Sequence, residues 1–138
     1  RSFSKAYGLA GLRVGYSVCS PLIADFINRV REPFNVNYTA QVAAIAALSD
    51  DKHLNDSVEI NTNGYEQLTS GFDALKLNYI PSHANFIAVE FNNAMNIYND
   101  LLKEGVIVRP VEMKGYLRIS IGTSNENDHL LSALKKVL

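Results

Sequence analysis

The chain has 138 residues, 47% of them hydrophobic and 20% charged, with a net charge of −1. That length suffices for one ordinary domain with its own core, and near-neutrality leaves no electrostatic footprint for nucleic acid or an acidic membrane. The longest strongly apolar stretch, residues 43–48, is far too short to cross a bilayer, and a single cysteine, Cys19, excludes an intrachain disulfide and fits a reducing, cytoplasmic compartment.

In chain order, the first sixteen residues carry the densest chemistry. Ser2 and Ser4 flank Lys5; Gly8 and Gly11 follow, then Arg13. An arginine fork matches phosphate oxygens, hydroxyls add neutral donors, and glycines let backbone approach a ligand. A lysine beside them can form a Schiff base with an aldehyde once neighbouring cations and desolvation ease removal of its proton. The same residues also suit an ordinary solvated loop, so composition leaves both readings open.

Residues 14–18 read as a short buried strand. Ser20 and Pro21 open a helix, along which Leu22, Ile23, Phe26, Ile27 and Val30 recur at helical spacing. Pro33 ends it, and the linker 33–37 is the expected boundary, dividing 1–32 from 33–138. Thr39 is positioned to cap an alanine-rich helix over about 40–48. A longer helix is expected over about 52–75, with Leu54, Val58, Tyr65, Leu68, Phe72 and Leu75 as its core stripe and Gly64 and Gly71 as weak points. Residues 85–91 read as a strand, and Ala94, Ile97, Tyr98, Leu101 and Leu102 as an amphipathic helix closed by Gly105. Residues 106–108 and 116–121 read as two more strands. Thr123 and Glu126 form a capping box for the last helix, with Lys135 and Lys136 near its negative end. This order implies a two-layer α/β unit, with helices on one face of a small sheet.

Two further arginines stand out. Arg109 ends the strand at 106–108, and Arg118 sits inside the apolar run 116–121. An arginine centred in an apolar strand is costly unless an anion pairs with it. Alternatively, an edge strand carries Arg118 into water. His53, His83 and His129 are scattered without a ligand spacing, and no metal site is read.

The run Ser4-Lys5-Ala6-Tyr7-Gly8-Leu9-Ala10-Gly11-Leu12-Arg13-Val14-Gly15-Tyr16 resembles the cofactor-lysine segment of fold-type I pyridoxal-phosphate aminotransferases, and within them is most similar to the histidinol-phosphate aminotransferase branch. The run from Leu117 to Thr123, which contains Arg118, resembles the segment whose arginine grips the substrate's anionic group. Val108-Arg109-Pro110 resembles a second arginine directed at the substrate phosphate. Asn85 matches a recurrent family position.

The resemblance implies pyridoxal 5'-phosphate as cofactor, Lys5 as its catalytic lysine, and Ser2, Ser4 and Arg13 as phosphate contacts. It implies Arg109 and Arg118 as substrate contacts, glutamate/2-oxoglutarate and histidinol phosphate as substrates, and a homodimer. Residues 1–32 become a remnant of the large cofactor domain, and 33–138 the C-terminal small domain. Because the chain opens at Arg1 inside the motif, a C-terminal piece of a longer enzyme is expected. The family's aspartate on the pyridine nitrogen, its ring-stacking aromatic residue and a partner tyrosine then lie before Arg1, and the piece alone is expected to be inactive. An aromatic aminotransferase, a threonine-phosphate decarboxylase and a non-catalytic interaction module remain the alternatives.

Overall fold

A computed structural model describes all residues, 1–138, as two compact units, Arg1–Val58 and Glu59–Leu138.

In the first unit, residues 1–16 close on themselves. Ser2 bridges antiparallel to Gly15, and the amides of Phe3 and Tyr16 donate to the carbonyls of Val14 and Arg1 at 3.2 and 2.9 Å. Phe3 is buried beneath the rings of Tyr7 and Tyr16. The strand expected at 14–18 does not form. One bridge is all the pairing it finds, and Val18 is 90% exposed; an extended run without a partner leaves its amides unpaired, and no strand results.

Helix α1, Pro21–Val30, begins as expected, with the Ser20 side chain accepting the Ile23 amide. Its apolar residues Leu22, Ile23, Phe26, Ile27 and Val30 are all exposed, so the periodicity marks a face that nothing in this unit covers. Helix α2, Tyr38–Leu48, is capped two residues earlier than expected: Asn37, not Thr39, accepts the Ala40 amide at 2.8 Å. Only Ala40 and Ala44 of α2 are buried.

Helix α3, Asp51–Ala74, runs through the division between the units. Asp50 caps its first turn by accepting the His53 amide. Leu68 and Phe72 of its stripe are fully buried, whereas Val58 is half exposed.

In the second unit, β1 (Tyr79–Ile80), β2 (Phe86–Glu90), β3 (Arg109–Pro110) and β4 (Tyr116–Ser120) form one antiparallel sheet in the order β1-β2-β4-β3. Ile87, Val89, Leu117 and Ile119 alternate onto one face. They pack with Leu68 and Phe72, with Leu101 of α4 (Ala94–Lys103), and with Leu130, Ala133 and Leu134 of α5 (Ser124–Val137). This is the two-layer arrangement read from the element order.

The strand expected at 106–108 instead falls at Arg109–Pro110. Val106 and Val108 still turn into the core while Ile107 is 86% exposed, so alternation survives without the ladder. Gly105, at φ +77°, ends α4 in a Schellman turn: its amide donates to the Leu102 carbonyl and the Val106 amide to the Leu101 carbonyl. The capping box at Thr123 and Glu126 is complete. Leu138, just past α5, is exposed.

Gly64 and Gly71 do more than weaken α3. A Cβ on Gly71 would stand 2.4 Å from a Leu131 methyl, and one on Gly64 would stand 2.6 Å from the Ile121 Cγ2. Their bare backbone lets α5 and the end of β4 approach this closely.

Candidate active site

The lysine loop is built from the bridge inward. Pairing of Ser2 with Gly15 anchors both ends, and the Leu9 amide donates to the Phe3 carbonyl across the middle. A tight turn follows Lys5, in which the Gly8 amide donates to the Lys5 carbonyl at 2.8 Å and Gly8 takes φ +71°. Lys5, Ser2 and Arg13 are exposed, and Ser4 is half-buried.

The Ser2 hydroxyl oxygen accepts the Ser4 amide at 3.0 Å, and the Arg13 Nη1 donates to the Ala10 carbonyl at 2.8 Å. Arg13 itself lies in the left-handed region at φ 56°, which costs a non-glycine residue about 1–2 kcal/mol. Such strain gathers at ligand clamps. The imidazole of His53 lies beside this turn, its Nε2 3.6 Å from where a Gly8 side chain would begin.

Charge in this segment has one sign. Arg1, Lys5 and Arg13 are the only ionisable chains of fixed charge before Asp25. An amine, two hydroxyls and a guanidinium in one short segment, with no acidic residue before Asp25, are groups that suit a phosphate dianion bearing an electrophilic carbon. The residues present fit a phosphorylated aldehyde.

The second constellation lies on the sheet's other face, within the second unit. Register places Ala88 of β2 and Arg109 of β3 on either side of Arg118 of β4. Strand β4 is therefore an inner strand, and the edge-strand reading of Arg118 falls away. Arg118 is half-buried, its guanidinium carbon 4.6 Å from the centre of the Phe86 ring, and its Nε is buried without a hydrogen-bond partner. Arg109 is exposed.

None of the chain's four ion pairs includes either arginine. Like charges directly opposite each other on paired strands repel. Two such guanidiniums without an acid are arranged to receive an anion from outside.

Sequence reasoning missed Phe86, although strand alternation puts it on the same face as Ala88 and Glu90; only the β2–β4 register brings it beside Arg118. It also missed Asn127, which is 1% exposed. The Asn127 side chain accepts the Gly122 amide at 3.0 Å and donates to the Gln67 side chain and the Gly122 carbonyl, tying the end of β4 to α3 and α5. Asn85 contributes its carbonyl to the Ile121 amide, extending the β2–β4 ladder.

The chain thus carries a lysine loop rich in cations and an antiparallel sheet on which two arginines stand in register. The chain belongs to the aminotransferase class I and II family, whose pattern it matches over residues 1–134. It is 53% identical over 141 residues to the histidinol-phosphate aminotransferase of Methylobacillus flagellatus, and 56% identical over 142 residues to histidinol-phosphate aminotransferase 2 of Pseudomonas aeruginosa. Each alignment takes in 100% of this chain and 38% of the relative, so the chain spans little more than a third of the length of these proteins. Among solved structures it is similar to the Sinorhizobium meliloti histidinol-phosphate aminotransferase in complex with pyridoxal-5'-phosphate. That likeness has a TM-score of 0.89 and 33% identity, and covers 99% of this chain and 40% of the other.

Proposed function

We propose that the whole protein is a pyridoxal-phosphate-dependent transaminase that moves an amino group between glutamate and imidazole-acetol phosphate, giving histidinol phosphate in histidine biosynthesis. The observation that carries this reading is the Arg109–Arg118 pair, in register on adjacent strands and without a carboxylate. Identity above 50% with histidinol-phosphate aminotransferases supports it.

The bound cofactor supplies an aldehyde for an amine and a pyridine ring that draws electrons from the substrate's α-carbon. Ser2, Ser4 and Arg13 hold its phosphate. The Lys5 amine would hold the cofactor's aldehyde carbon and, once released by the incoming amine, would serve as the base that moves the proton at the substrate's α-carbon. Glutamate carries an α-carboxylate, whereas histidinol phosphate has a phosphate and no carboxylate. A planar guanidinium fork accepts either anion, which a lysine ammonium does poorly. Arg118 takes this role, with Arg109 assisting on the phosphate.

In this reading residues 1–32 belong to the large cofactor domain and 33–138 to the small domain. The protein works as a cytoplasmic homodimer.

The test is a set of amino-group transfers by the full-length enzyme from histidinol phosphate, aromatic amino acids and threonine phosphate, run in parallel. Histidinol phosphate is expected to react with the highest kcat/KM. Preference for an aromatic amino acid, or loss of carbon dioxide from threonine phosphate, would move the protein to one of the neighbouring activities. No reaction with any of the three would favour a non-catalytic module.

A further inference from the structure

Arg118 is held by neither an acid nor a carbonyl. Its Nε is buried and unpaired, and another arginine faces it across the ladder. A flexible guanidinium so placed has every electrostatic reason to swing away from Arg109 into water, and yet it is half-buried. What it does touch is the ring of Phe86, 4.6 Å from centroid to guanidinium carbon.

The register explains how they meet. Phe86 lies opposite Ser120 and Ala88 lies opposite Arg118, so Phe86 and Arg118 are diagonal neighbours on one face. The Ala88 side chain is a single methyl group, leaving the β2 side open for the arginine to lean across. A cation over an aromatic face is attracted by the ring's quadrupole, more strongly when desolvated. The ring also removes water from one side of the guanidinium, which strengthens any later pairing with an anion.

We propose that Phe86 is a positioning residue: its ring holds the Arg118 guanidinium in place before the substrate arrives, so the anionic group meets an ordered, partly dried fork rather than a mobile one. The inference rests on the reading of Arg118 as the anion-binding arm. Phe86 touches no reacting atom in this account and acts only through Arg118.

The experiment uses the full-length enzyme loaded with pyridoxal phosphate. Calorimetry measures binding of inorganic phosphate and of 2-oxoglutarate, and kcat and KM are measured alongside. Phe86→Leu keeps apolar bulk and removes the ring; it is expected to weaken both anions about five- to tenfold, raising KM more than it lowers kcat, with an unchanged cofactor spectrum and melting temperature. Phe86→Tyr keeps the ring and is expected to bind both anions as the wild type does, which also answers any doubt that the leucine variant has simply misfolded.

In an Arg118→Ala background, Phe86→Leu is expected to add nothing, because its effect passes through the missing guanidinium. Wild-type anion affinity in Phe86→Leu, or an undiminished loss on top of Arg118→Ala, overturns the role given to Phe86 and leaves Arg118 where it is. Wild-type affinity in Arg118→Ala alone overturns the reading of Arg118, and the role of Phe86 falls with it.

Discussion

Lys5 and Arg118 differ in what surrounds them, and their substitutions are expected to differ accordingly. Lys5 stands exposed on a loop closed by the Ser2–Gly15 bridge, and its amine is the proposed proton carrier. Lys5→Ala should slow transamination by about 10²–10⁴-fold or more, while the contacts proposed for Ser2, Ser4 and Arg13 should still retain the cofactor. Single-turnover kinetics on the purified variant check this; near-normal turnover would take Lys5 out of the mechanism. Arg118→Lys should leave cofactor binding intact and lower kcat/KM by about ten- to hundred-fold for glutamate and for histidinol phosphate, the range of a charged hydrogen bond. Arg13→Lys should instead raise the cofactor concentration needed for activity with either substrate.

A fourth residue carries a pH dependence. The Glu126 carboxylate accepts the Thr123 amide at 2.7 Å and the Thr123 hydroxyl at 2.8 Å, and these bonds, the backbone one foremost, hold its pKa below the ordinary 4.5. A carboxyl with a lowered folded pKa contributes stability that is present above its unfolded pKa and lost as pH falls through the folded one. The melting temperature of Glu126→Gln should therefore lie below that of the wild type at neutral pH, and the gap should close as the medium is acidified past the usual glutamate range. A gap that stays constant down to pH 3 would mean that the charge of Glu126 is not what the cap uses.

Among the elements, α3 shows how packing reverses a local preference. Alanine is favoured over glycine inside a helix by about 1 kcal/mol, so Gly64 and Gly71 look like defects when the helix is considered alone. At Gly64 an added Cβ meets the stiff Ile121 Cγ2 at 2.6 Å, the Asn127 amide at 3.0 Å and the Gly122 carbonyl at 3.0 Å. None of these yields easily, because Asn127 is already committed to Gly122 and Gln67. Overpacking costs about 1–3 kcal/mol, which outweighs the propensity gain. Gly64→Ala should lower the melting temperature. At Gly71 the obstacle is the methyl end of Leu131, which can rotate aside, so Gly71→Ala should be close to neutral. Paired thermal melts decide it, and an equal effect at both positions would show that the identity of the obstructing atom does not matter.

At the scale of the whole molecule, burial is unevenly shared. Thirteen buried apolar residues, from the sheet, α3, α4, α5 and the segments that flank the strands, form one core in Glu59–Leu138, whereas Arg1–Val58 buries only Phe3, Ala40 and Ala44. Opening free energy follows buried apolar contact. In the 138-residue chain, amides of β2, β4 and α5 should exchange slowest with solvent deuterium and those of α1 among the fastest. Comparable protection in α1 and β4, read by mass spectrometry of the exchanged peptides, would contradict this distribution. No helix of the chain is long and apolar enough to cross a membrane.

What the order of residues determined by itself is local. The Ser20–Pro21 helix start, the Thr123–Glu126 capping box, the Gly105 turn and the alternation of β2 and β4 depend on neighbours within a few positions, where capping bonds and periodicity act. The candidate residues of the lysine loop could be singled out for the same reason, since Ser2, Ser4, Lys5 and Arg13 lie within one short segment. Tertiary structure decided whatever needed a distant partner. Residues 14–18 are apolar enough for a strand but find only one bridge; the ladder beside β4 begins at Arg109 rather than Val106. The apolar stripe of α1 finds no cover within its unit, and Asn37 displaces Thr39 as the cap of α2. The pairing of Arg109 with Arg118, and of Arg118 with Phe86, exists only through strand register, because residues 32 positions apart along the chain become neighbours when hydrogen bonds between β2 and β4 set which side chains share a face.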